Sequence, residues 1–228
     1  MKRKKIYLLA GGPGKNGNTA GQLRLALQNS GAAKPKVAYI GTASGDNTRF
    51  MQWFVRPFRA AGAASVTLVP LVGEAADETA AEQILRGSDV VFVSGGEVED
   101  GIRGLSQPVQ KLLRELLEDG KQFIGLSAGS IMQGRAWPHW EDEDNHPEEA
   151  SLFDCLAFCD VIFDTHAEEE GWPELKKAVE LSGDGAVGYG IPTGEMAVID
   201  EEGKLIPNPA LAAYVNRNGR VCPGSQEE

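Results

Sequence analysis

The first 130 residues repeat one unit, a short and almost uninterrupted apolar run followed by a segment with helical periodicity. The runs are Ile6–Ala10, Val37–Gly41, Ser65–Leu71, Val90–Val93 and Phe123–Leu126. Strands have this composition when both of their faces are covered. Between the runs, Ala20–Ser30 carries Leu23, Leu25 and Leu27, and Thr48–Ala61 carries Phe50, Trp53, Phe54 and Phe58. Glu78–Arg86 is shorter, and Val109–Glu118 carries Leu112, Leu113, Leu116 and Leu117. Such alternation predicts an α/β three-layer sandwich, with a mostly parallel central sheet flanked by helices and joined by right-handed crossovers. At 228 residues, one domain spanning 1–228 is expected.

In a sheet of this kind, function gathers at the carboxyl ends of the strands. The residues there are small: Gly11-Gly12-Pro13-Gly14, Gly41-Thr42-Ala43-Ser44-Gly45, Ser94-Gly95-Gly96-Glu97 and Ser127. They predict an open crevice in which backbone amides can approach a ligand. Beyond Ser130 the pattern loosens. Trp137-Pro138-His139-Trp140 and the acidic run 141–149 read as an irregular loop of roughly twenty residues, a length usually tied to function or disorder. Order resumes at Leu152–Phe158, and Val161–Phe163 reads as a strand ending at Asp164-Thr165-His166. A helix follows, with Pro173 in its first turn. Ala186–Ile191, Met196–Ile199 and Ala212–Val215 read as short closing strands, and the tail from Pro223 is expected to fray.

Gly125-Leu126-Ser127-Ala128-Gly129 stands where a strand passes into a helix, which is the context of a nucleophile elbow. The serine there takes a strained conformation, so its neighbours must be small. Gly125, Ala128 and Gly129 meet that demand. The Ala128 N–H is placed to hold an oxyanion, and Gly96 at the preceding turn is a candidate for the second donor. A serine hydroxyl also needs a base. Of the three histidines, His166 ends a strand on the same edge, whereas His139 and His146 fall in the acidic loop. The base in turn needs an orienting carboxylate. Asp142 lies fifteen residues after Ser127, with Glu141 and Asp144 beside it. Glu168, two residues past His166, would point to the same side on an extended segment. The sequence does not choose among them.

Val93-Ser94-Gly95-Gly96, then Gly125-Leu126-Ser127-Ala128-Gly129-Ser130, then Phe163-Asp164-Thr165-His166 resemble the aspartyl dipeptidase (peptidase E) and cyanophycinase family of serine peptidases. The resemblance runs from the first strand to Ala212–Val215. It implies a class I glutamine amidotransferase-like fold in which serine replaces the cysteine nucleophile. It also implies that Ser127 is the nucleophile, His166 the base, Gly96 and Ala128 the oxyanion amides, and Asp142 the best match to the acid. Three departures stand out. Glu97-Val98 follows the Gly-Gly turn where the family has Asn or Thr. Pro192-Thr193 replaces an acidic pair near the closing hairpin. His166-Ala167-Glu168 resembles the His-x-Glu of the amidotransferases.

The net charge of −11 argues against a nucleic-acid partner, since phosphate binding needs a basic footprint. No apolar run approaches the ~20 residues of a membrane span, and the stretch after Met1–Lys5 is too short for a signal-peptide core, so a cytoplasmic protein is expected. Three cysteines, an odd number, fit a reducing compartment, and Cys155 and Cys159 read as core thiols rather than ligands. No cofactor or metal is called for. Gly12-Pro13-Gly14-Lys15-Asn16-Gly17 matches a dinucleotide-binding fingerprint in form, but the second strand lacks the acidic residue at its end that the fingerprint requires. The expected partner is a short peptide or other small amide. Acidic residues at Glu97, Glu99, Asp100, 141–149 and 168–170 would favour a basic or free-amino ligand. A preference for Asp would instead want Arg103 or Arg135 near the nucleophile. A glutaminase-like amidase and a silent binding protein on the same fold are the alternatives, and a homodimer is compatible with each.

Overall fold

The computed structural model describes residues 3–11, 19–140 and 150–225. Glu141, Asp142, Asp144, His146 and the Gly12–Gly17 fingerprint lie outside the described residues. The alternating half of the chain folds as its periodicity predicts. In order it forms β1 (Ile6–Leu9), α1 (Thr19–Asn29), β2 (Lys36–Ile40), α2 (Thr48–Ala61), β3 (Ser65–Leu68), α3 (Glu78–Gly87), β4 (Val90–Val93), α4 (Val98–Arg103), α5 (Gln107–Glu118), β5 (Gln122–Leu126) and α6 (Ala128–Ile131). Then come β6 (Ala136–His139), β7 (Ser151–Asp154), β8 (Ile162–Thr165), α7 (Pro173–Leu181), β9 (Val187–Ile191), β10 (Met196–Ile199), β11 (Ala212–Arg217) and β12 (Arg220–Pro223).

The main sheet has the order β10-β1-β5-β4-β2-β3, and only β10 runs antiparallel to its neighbour. β1, β4 and β5 are buried along their whole length and β2 from Val37 onward, which is why they read as continuous apolar runs, whereas the edge strand β3 is partly exposed. Tyr7, Leu9, Tyr39 and Phe92 face α1 and α2, where Phe92 and Phe58 meet edge to face at 4.9 Å. Ile6, Leu8, Ile40 and Val91 face the other way, onto the leucines of α5 and Leu85 of α3. The sandwich is therefore three layers deep, with β5 at its centre between β1 and β4.

The second half departs from the expectation in several places. The closing strands do not all join the main sheet. Strands β12-β11-β9-β8 form a second sheet, with β8 and β9 parallel, and α7 packs on it through Leu175, Ala178 and Val179. Trp137–His139 is not irregular, because Ala136–His139 pairs with Ser151–Asp154 as an antiparallel ribbon. Pro138 hid this, yet a two-stranded ribbon leaves each strand an open side where a missing N–H costs nothing. β3 stops at Leu68 rather than Leu71, since Pro70 has no N–H to continue the ladder. α4, six residues long with Gly101 inside, was too short for its period to register. Among the described residues no helix is long and apolar enough to cross a membrane.

Candidate active site

Ser127 leaves β5 at φ 51° and ψ −123°, a region that side chains rarely enter and that costs of order 1–3 kcal/mol. Its surroundings hold it there. The Ser127 amide donates to the Leu9 carbonyl of β1 (2.9 Å), and the Ser127 carbonyl accepts from Ser130 (2.7 Å). Ser130 Oγ donates to the same Leu9 carbonyl (2.9 Å). The small neighbours predicted from the sequence are sterically required. A Cβ on Gly129 would lie 2.0 Å from the Val93 carbonyl oxygen, and one on Gly125 would lie 2.5 Å from Gln133 Nε2. The helix after the elbow is a single turn, Ala128–Ile131. What it offers an anion is therefore the Ala128 amide itself rather than a long dipole.

The turn after β4 runs alongside the serine. A Cβ on Gly95 would sit 3.2 Å from Ser127 Cβ. Gly96 has φ 141°, and a Cβ there would fall 1.9 Å from the Ala43 carbonyl oxygen. That same carbonyl accepts from the Glu97 amide (2.8 Å) and pins the turn. Beneath it, Tyr39 Oη and Ser94 Oγ lie 2.6 Å apart, and burial pushes the Tyr39 phenol up to about 12. Neither the Gly96 nor the Ala128 amide donates to another backbone carbonyl among the described residues.

His166 stands at the end of β8, also at positive φ (66°), with its amide donating to Ile191 of β9. It lines the same cavity as Ser127, Gly96 and Ala128, a cleft of about 560 Å³. No hydrogen bond joins His166 to Ser127 among the described residues. Instead Nε2 accepts from the Gly11 amide (3.2 Å), and Nδ1 lies 3.1 Å from Thr193 Oγ1. An Nε2 that accepts is unprotonated, so the neutral ring carries its proton on Nδ1 and donates it to the Thr193 hydroxyl. Burial lowers the His166 pKa and Glu168 pulls it back up.

Glu168 does not touch the ring. Its Oε1 accepts from the Thr193 amide (3.0 Å). Burial would raise its pKa, but hydrogen bonds from its own backbone and from the Thr193 side chain and amide outweigh that and hold it low. Thr193 thus stands between the imidazole and the carboxylate. The sequence showed Thr193 only as a departure from an expected acidic pair. Asp164 was also missed as a site residue. It lines the cleft, is 3 % exposed, and has its carboxyl pushed up to about 7 by burial, with Glu174 and Glu170 adding to the rise. Arg103 is held by Glu99 (2.9 Å) and Arg135 by Asp160 (3.4 Å), and neither lines the cleft.

The three segments that carry the resemblance therefore meet at one cleft, and the chain matches the profile of peptidase family S51 over residues 6–206. The chain belongs to peptidase family S51. Its members are serine-type peptidases, so the protein is a serine-type peptidase. The fold is shared with solved structures. A peptidase from an acI-B1 actinobacterium superposes with a TM-score of 0.72 at 15% identity, covering 98% of each chain. A putative peptidase E protein from Listeria monocytogenes EGD-e gives 0.62 at 18% identity, covering 94% of this chain and 99% of that one. No curated protein matches the sequence. Cys155 and Cys159 stand apart from this S51 cleft, and burial raises both thiols to about 12, which keeps them protonated.

Proposed function

We propose that the protein hydrolyses an amide bond in a short peptide or similar small substrate through Ser127, with His166 as base. The observation that carries this reading is the Ser127 backbone. Its positive φ is held by the Leu9 carbonyl and by Gly95, Gly125 and Gly129, and it opens onto a cleft shared with His166. In the proposed sequence His166 Nε2 exchanges its contact with the Gly11 amide for the Ser127 hydroxyl, as a catalytic hydrogen bond that tightens only around substrate does. It takes the proton as Oγ attacks the carbonyl. The Gly96 and Ala128 amides receive the oxyanion. His166 then protonates the leaving amine, and water resolves the acyl-enzyme.

The imidazolium formed midway is oriented through Nδ1 by Thr193, with the Glu168 carboxylate behind it. This replaces a direct carboxylate contact among the described residues. Hydrolysis of a dipeptide panel by the parent and by Ser127→Ala tests the reading. The variant is expected to lose on the order of 10⁶-fold in kcat, as a lost triad serine does. Equal turnover by both proteins would remove Ser127 from the reaction.

A further inference from the structure

Val98, Ile131 and Trp137 form an apolar wall of the cleft that holds Ser127, and they come from three separate elements. Val98 opens α4 just after Gly96, and Ile131 closes α6 one turn after Ala128. Both are therefore fixed by the turns that carry the two oxyanion amides. Trp137 is different, because it arrives on the β6–β7 ribbon, which belongs to neither larger sheet. An isolated two-stranded ribbon is marginally stable at best, so its place depends on what it is tied to.

A closed set of contacts ties it to α4. Trp137, His139 and Phe153 share one face of the ribbon, because residues two apart on a strand point the same way and Trp137 pairs with Phe153 across it. Glu99 Oε1 lies 2.6 Å from His139 Nδ1, and Glu99 Oε2 accepts from Arg103 (2.9 Å). The Arg103 guanidinium then returns to the ribbon over the Phe153 ring, 5.5 Å from its centroid. Both strands are thus bracketed to one turn of α4. Arg103, His139 and Phe153 do not line the cleft, whereas Trp137, which they hold, does.

Resting on the hydrolase reading above, we propose that Trp137, with Val98 and Ile131, is a subsite for an apolar side chain of the peptide, and that Arg103 is a positioning residue that keeps Trp137 in place. The wall begins at the oxyanion amides, so the substrate itself is what covers it. The side chain comes either from the residue whose carbonyl Ser127 attacks or from the residue that leaves. Leucine gains there by leaving water, while asparagine, close to it in shape, gives up hydrogen bonds to water that three apolar side chains cannot replace.

Binding to Ser127→Ala protein, measured by calorimetry, tests the subsite and separates the two sources. The probes are leucyl-alanine against asparaginyl-alanine, and alanyl-leucine against alanyl-asparagine. In at least one pair the leucine peptide is expected to bind about tenfold or more tightly, and the pair that shows the preference names the residue. Adding Trp137→Ala should bring the two affinities of that pair close together, and Trp137→Phe should keep most of the difference. Adding Arg103→Ala leaves the wall's own side chains intact and should still reduce the ratio several-fold, a loss of selectivity that a purely structural role would not produce. It also carries the test should Trp137→Ala fold poorly. Equal binding within both pairs, tighter binding of the asparagine peptides, no binding of any, or a full preference in Trp137→Ala would overturn the subsite. An unchanged ratio in Arg103→Ala would overturn the positioning role. The hydrolase reading fails separately. A parent enzyme that binds the preferred peptide and leaves it intact refutes catalysis while the subsite stands, and cleavage of both members of each pair at equal kcat/KM does the reverse.

Discussion

Asp164 makes a quantitative demand on stability. Its carboxyl is raised from 3.8 to about 7 in the folded protein, chiefly by burial. Below pH 4 the carboxyl is protonated in both states and imposes no penalty. Between pH 4 and 7 the unfolded chain releases this proton while the folded chain keeps it, so stability falls as pH rises. Above pH 7 the loss is complete. At about 1.4 kcal/mol per pH unit it amounts to roughly 4 kcal/mol, a large share of the 5–15 kcal/mol that holds a typical domain together. Asn has the shape of a protonated Asp and does not titrate. Asp164→Asn should therefore match the parent at pH 4 and exceed it by about 4 kcal/mol at pH 8. Urea unfolding of both proteins at the two pH values measures the difference, with every other titrating group common to both. Identical pH dependence in the two proteins would refute the claim that burial raises the Asp164 carboxyl.

Three further outcomes follow from the site. Thr193→Val removes the acceptor for His166 Nδ1, and a hydrogen bond to a charged partner contributes ~1.5–3 kcal/mol. That predicts a kcat lower by roughly ten- to a hundredfold with little change in KM, and near-parent activity in Thr193→Ser; an unchanged kcat in the valine variant would remove Thr193 from its positioning role. Gly96→Ala places a methyl on the Ala43 carbonyl at a φ of 141°. The turn must shift, and steady-state kinetics should show a loss of about 10²–10³-fold, the usual effect of removing one oxyanion donor. Glu168→Gln withdraws the charge that raises the His166 pKa. The imidazole then stays neutral to lower pH, so the acid limb of the kcat/KM profile should move downward while kcat falls.

What the sequence made legible was local. The elbow was visible because Gly125 and Gly129, where there is no room for a Cβ, flank Ser127 within five residues. β1, β2, β4 and β5 were visible because burial on both faces leaves an unbroken apolar run. Thr193 was hidden because it meets His166 from 27 residues away. It is carried there by the crossing from β9 in the second sheet to β10 in the first, where Gly194 donates to Ala10 (3.1 Å). No period in the sequence encodes that crossing. Asp164 read as an ordinary strand end. Its burial arises only when α7 packs on β8, with Ile162 one alternation earlier on the same face against Leu175. The closing strands were legible one by one, but their division between two sheets was not, because it rests on pairings between distant segments such as β8 with β9 and β9 with β11.

In the proposed reaction Ser127 is an activated nucleophile. Reaction of the folded protein with a fluorophosphonate probe, followed by peptide mass mapping, tests it most directly. A single modified residue, Ser127, is expected, with labelling abolished in Ser127→Ala and strongly slowed in His166→Ala. Folded protein that stays unlabelled, or a label that persists in Ser127→Ala, would contradict it.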